Sequence, residues 1–143
     1  MRIKKFVVSL LFGVAVVSLA RAAIPEPPSP LQNINLTFDQ RLMQMRQTHA
    51  ALLNATPEER KEYWFKRRDQ IKALSPEDRK LIHENMKVQW QSFTPEQKEK
   101  MKAERKAFFD ALTPEEQAEI KSRKTRWENM SSEEKKKWHK QSS

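Results

Sequence analysis

The sequence has no cysteine in its 143 residues and a single glycine, Gly13. Without cysteine there is no disulfide, thiolate metal site, catalytic thiol or lipid-modified N-terminal cysteine. Without a second glycine there is no glycine-rich phosphate loop, nucleophile elbow or dinucleotide-binding turn. Apolar residues make up only 37% of the chain, against 33% charged, so little material is available for a core. Histidine is scarce too. His49, His83 and His139 lie 34 and 56 residues apart, too dispersed for the clustered ligands of a zinc site.

The long apolar run is at the N-terminus. Arg2, Lys4 and Lys5 precede it, and residues 6–19 are apolar apart from two serines and Gly13. Ala20-Arg21-Ala22 then places small residues at −3 and −1, which predicts a signal peptide, residues 1–22, cleaved after Ala22. The alternative is an uncleaved anchor, but 14 residues fall short of the ~20 that span a bilayer. The expected location is the periplasm or the exterior.

Cleavage redistributes the charge. The signal holds four basic residues and no acid, so its loss lowers the net charge from +9 to +5. Residues 23–120 carry 16 basic and 16 acidic side chains. Residues 121–143 carry eight basic and three acidic, so the mature excess sits in the tail. A neutral body on an exported chain argues against nucleic acid as a partner.

Four of the eight prolines, Pro25, Pro27, Pro28 and Pro30, fall in residues 23–36. This segment reads as an extended, semi-rigid tether without packing signals. The other four, Pro57, Pro76, Pro95 and Pro114, are each 19 residues apart. Each follows a hydroxyl residue: Thr56, Ser75, Thr94 and Thr113. Such a residue is an N-cap, proline suits the first helical position, and the acid or amide three residues on can close a capping box. Thr37 and Ser131 keep the frame without proline, which gives six units across residues 37–143. An apolar residue precedes every cap: Leu36, Ala55, Leu74, Phe93, Leu112 and Met130.

The unit bodies agree with helix. Tyr63, Ile82, Met101, Ile120 and Trp138 lie seven residues past their caps; Leu52, Ile71, Trp90, Phe109 and Trp127 lie fourteen or fifteen past. These share one helical face. Glu62–Lys66, Glu96–Lys100, Glu119–Arg123 and Glu133–Lys137 are i,i+4 pairs in the favourable order. In one continuous helix, 19 residues would rotate this face by about 100° per unit and leave no seam. The expectation is therefore an all-α chain of separate helices of about 14–17 residues joined by tight Ser/Thr-Pro corners. They would form an elongated bundle or a zigzag whose neighbours pack together.

At these residues the chain resembles the exported bacterial family called domain of unknown function 3106. That family has tandem Leu-Ser/Thr-Pro-Glu-Glu/Gln helical units, and the resemblance covers roughly residues 50–140. It implies an all-helical repeat and brings no assigned activity. Leu36-Thr37-Phe38-Asp39-Gln40 is also similar to the Leu-Thr-x-x-Gln motif of Spy/CpxP-type periplasmic proteins, and Phe93-Thr94-Pro95-Glu96-Gln97 carries it with Phe for Leu. That likeness implies chaperone-like, stress-related or metal-responsive roles.

Candidate chemistry is sparse. The carboxylates are accounted for by capping and pairing, and nothing marks an acid/base couple, so no enzyme and no cofactor are expected. Met43 with Met45 and His83 with Met86 could offer soft ligands to Cu(I), although methionine at helical spacing more often fills core gaps. The aromatics exceed what one face per helix can hold. Tyr63, Trp64, Trp90, Phe108, Trp127 and Trp138 are the candidates for contact with other proteins or with copies of the chain, the alternative being that they bridge neighbouring helices. The basic residues 121–140 are candidates for contact with anionic envelope polymers, the alternative being a solvated helix face. The expected role is a periplasmic, ATP-independent interaction protein. A structural adaptor at the cell wall or an anionic membrane, and a metal-responsive protein, are the alternatives.

Overall fold

The computed structural model describes residues 24–142. The expected signal peptide, residues 1–22, and its expected cleavage after Ala22 lie outside the described residues. Within them are six α-helices, a short 3-10 turn at Pro30–Asn33 and no strand. The helices are α1 (Phe38–Leu53), α2 (Pro57–Lys72), α3 (Pro76–Ser92), α4 (Pro95–Asp110), α5 (Pro114–Asn129) and α6 (Ser132–Ser142). Thr37, Thr56, Thr94 and Thr113 each form a full capping box with the residue three along. Ser131 exchanges the same two hydrogen bonds with Glu134. Ser75 accepts from the Asp78 N–H alone, since the shorter Asp replaces Glu or Gln.

The scarcity of glycine shapes the other end of each helix. No described residue has a positive φ, so no helix ends in a left-handed cap. The orphan carbonyls are met from across the corner instead. The residue four past the cap reaches back to the preceding element. Arg60 Nη1 donates to Leu52 O and Ala55 O at 3.1 and 2.7 Å. Arg79 donates to Lys72 O at 3.2 Å, and Gln117 Nε2 to Phe109 O at 3.0 Å. In the first unit, Arg41 donates to Asn33 O of the 3-10 turn at 2.7 Å.

These three helix–helix corners follow a helical C-cap at Asn54, Ala73 or Ala111. The other two, at Phe93 and Met130, have extended C-caps with ψ of 139°. There the equivalent residue is lysine, and it lies over a tryptophan ring of the helix before: Lys98 over Trp90 and Lys135 over Trp127.

The expected packing of chain neighbours gives way to a longer-range pattern. The most extensive helix–helix contact among the described residues is α1 on α4. There His49 stacks on Phe108 with centroids 4.2 Å apart, and its Nδ1 lies 3.1 Å from Glu104. In α2 and α5, Arg60 grips Glu116. In α3, Gln89 donates to Ile34 O. These contacts span 55 or 56 residues, close to three repeats. Corners of two or three residues turn the chain, and its main helix–helix contacts recur about three units later.

The tether is a second correction. It is not a spacer free of packing. Pro27 is buried, its carbonyl accepts from Gln70 at 2.9 Å, and Glu26 pairs with Lys66 at 3.1 Å. The 3-10 turn packs on α3. Proline lacks an N–H but keeps its carbonyl. The segment therefore offers acceptors, and Gln70, Arg41 and Gln89 donate to the carbonyls of Pro27, Asn33 and Ile34.

The buried apolar residues are Leu42, Leu52, Tyr63, Met101 and Leu112, none of them on α3, α5 or α6. The thin core predicted by composition is real, and it lies toward the N-terminal four helices.

Candidate functional site

The six candidate aromatics divide by position. Tyr63 is 2% exposed and faces the tether beside Ile24, Pro25 and Glu26, so it is a core residue and presents no contact surface. That departs from the reading of Tyr63 as a contact residue, and the tether residues Ile24, Pro25 and Glu26 line the same cleft. Phe108 is half-buried in its stack with His49. Trp90 is half-buried between α3 and α4, edge-on to Phe93 and flanked by Lys98 and Arg105. Both bridge helices.

Trp64, Trp127 and Trp138 are exposed, at 42%, 36% and 50%. Other apolar side chains, beyond the six candidates, are exposed as well. Phe65 and Ile71 on α2 and Leu81, Met86 and Val88 on α3 are exposed, Val88 to 63%. Trp64 with Ile71, and Leu81 with Val88, are seven residues apart and so share a face on their own helix. The i,i+7 spacing was the available signal.

The charged centre of the molecule is the Arg60–Glu116 pair. Arg60 Nε and Nη2 donate to the two Glu116 oxygens at 2.8 and 2.9 Å. Arg60 is 6% exposed, held between the first corner and α5. The Arg60 hydrogen bonds, aided by the N–H and hydroxyl of Thr113, lower the Glu116 carboxyl to about pH 2 against the opposing effect of burial. Arg60 is raised by the same hydrogen bond. Its Nε, Nη1 and Nη2 all donate within the fold, so the pair is an architectural clamp.

Arg41 is lowered, chiefly by burial and then by Arg67. It donates to Asn33 O and also to the Gln89 side chain.

Among the described residues no three His, Cys, Asp or Glu side chains converge as a metal site. Met43 and Met45 are two apart on α1, so they do not share a face. A shallow groove along α4 is lined by Pro95, Glu96, Glu99, Lys100 and Ala103. No described helix is long and apolar enough to cross a membrane.

Residues 35–140 match the family described as Protein of unknown function (DUF3106). The chain belongs to this family. DUF3106 membership covers all six units and fits the all-helical repeat seen here. Comparison with curated proteins and with solved structures returns no match. These comparisons show no likeness to Spy/CpxP-type proteins, and the motif residues Thr37 with Gln40 and Thr94 with Gln97 serve as the capping boxes of α1 and α4.

Proposed function

We propose that the protein is an exported helical interaction protein that holds polypeptide segments on the apolar faces of α2 and α3, without ATP. The exposed faces of Trp64 with Ile71 on α2 and of Leu81 with Val88 on α3 carry the reading. A chain with so little apolar residue gains nothing in its own core from these side chains, and exposed aromatic and aliphatic clusters suit partner contact. The basic N-terminus, apolar stretch and Ala20-Arg21-Ala22 support export, where ATP is not at hand.

The test is light scattering of an aggregating client, reduced α-lactalbumin, with an equimolar amount of the chain from residue 23 onward. Suppression is expected, and Trp64→Ser with Leu81→Ser is expected to weaken it about tenfold or more, the loss of aromatic and aliphatic anchors. No suppression by the parent chain, or full suppression by the variant, overturns the proposal.

A further inference from the structure

The corner between α5 and α6 joins two features treated separately in the sequence. Across Met130 and Ser131, the rings of Trp127 and Trp138 meet edge-to-face at 5.5 Å. Ile120 lies seven residues before Trp127, on the same face of α5, and is 41% exposed. The two helices thus present one apolar strip, Ile120–Trp127–Trp138, running through the corner.

Its surroundings are basic. Every residue from 121 to 129 is exposed, and residues 121–143 carry the whole net excess of +5. Lys135 lies over the Trp127 ring at 5.4 Å, so its charge borders the strip directly. Lys136 and Lys137 follow on the exposed first turns of α6.

We infer that this corner docks flat on a bilayer rich in anionic lipid headgroups. Three properties fit that occupant. Indole rings prefer the boundary between headgroups and acyl chains, with the apolar body inward and the N–H wet. Lysine stems can lie along apolar surface while the ammonium reaches phosphate. A cluster of four to eight basic residues on amphipathic helices supplies electrostatic attraction, here on a body that is otherwise neutral. The strip is short and lies on two separate 16- and 11-residue helices, which suits lying on the surface. It shares no residue with the α2–α3 faces, so the two proposals are tested by different substitutions.

The experiment is sedimentation of the chain from residue 23 onward, its helicity verified by circular dichroism, with vesicles of phosphatidylglycerol and phosphatidylethanolamine or of phosphatidylcholine alone. Binding to the anionic vesicles is expected at 0.05 M salt, falling away at 1 M where the screening length is about 3 Å. Phosphatidylcholine should bind at least tenfold more weakly. Changing Lys135, Lys136 and Lys137 to Gln should cost about fivefold per charge. Trp127→Ser with Trp138→Ser should abolish the vesicle-induced blue shift of tryptophan emission, while Trp64→Ser leaves sedimentation unchanged.

Equal binding to both vesicle types overturns the inference, as does binding that survives the lysine changes. Failure to sediment at all does so too, including the case where the chain binds a soluble polyanion such as heparin instead. If the double tryptophan variant loses helicity, the lysine variant still decides.

Discussion

Arg60 sits four residues past the Thr56 cap in the sequence. In the structure it is among the most constrained side chains in the molecule, because it closes a corner and clamps α5 at once. Glu116 is likewise shared, serving as both capping-box acid and ion-pair partner. The cap was legible because it is local. The partnership was not, because it joins residues 56 apart.

The pair carries a pH prediction. The folded pKa of Glu116, about 2, lies below its ordinary 4.5, so the folded state releases this proton more readily. The stabilisation is present above about pH 4.5 and drains away as pH falls toward 2. Its size is of order 3 kcal/mol at most. Urea unfolding of the parent and Glu116→Gln should therefore differ at pH 6 and converge near pH 2. A gap that stays constant with pH would show that the clamp is not the source. At pH 7, Arg60→Ala should cost about 3 kcal/mol, because it leaves the carboxylate partly buried without its partner.

At the level of the helix, the 19-residue unit holds more than the cap that made it recognisable. Its fifth residue, counting the cap as the first, is a corner donor or a lysine over tryptophan. This rule explains how helices without a glycine C-cap end cleanly. The sequence held a trace of it: Arg41, Arg60, Arg79, Lys98 and Lys135 are all basic at this position, and Gln117 is the one neutral donor. The trace was masked by the abundance of basic residues elsewhere.

Gln117 gives the cleanest test. Its amide nitrogen lies 3.0, 3.3 and 3.3 Å from the carbonyls of Phe109, Asp110 and Leu112. Gln117→Ala removes the donor and should cost about 1 kcal/mol in urea unfolding. Gln117→Glu sets a carboxylate against those carbonyls and should cost more than alanine. If the two variants were equally stable, the carbonyls would be satisfied by solvent and the donor would be incidental. Thr94→Ala, which removes a cap with an exposed hydrogen bond, should also cost about 1 kcal/mol and add to Gln117→Ala, since the two act at different corners.

Across the whole molecule, the unit length and helix count followed from periodicity, while the order of packing did not. Periodicity states which face of a helix is apolar; it does not state which other helix arrives there. The tether shows the same limit from the other side. Residues 24–36 have no helical or strand period, so they read as spacer, yet they supply the cover for α2 and α3 that no earlier helix provides. Glu26, Pro27, Asn33 and Ile34 each hold a partner on α1, α2 or α3.

Removing residues 23–36 should therefore do more than shorten the chain. It strips these acceptors, uncovers Tyr63, which is now 2% exposed, and leaves Arg41 and Gln89 without their carbonyl partners. Burial of a large side chain stabilises by about 2 kcal/mol and each lost hydrogen bond about 1 kcal/mol, against a total of about 5–15 kcal/mol for an ordinary domain. The truncated chain should melt many degrees lower, with Tyr63 newly accessible to nitration by tetranitromethane. A spacer would give the opposite result: an unchanged melting temperature and a tyrosine that reacts equally in both chains.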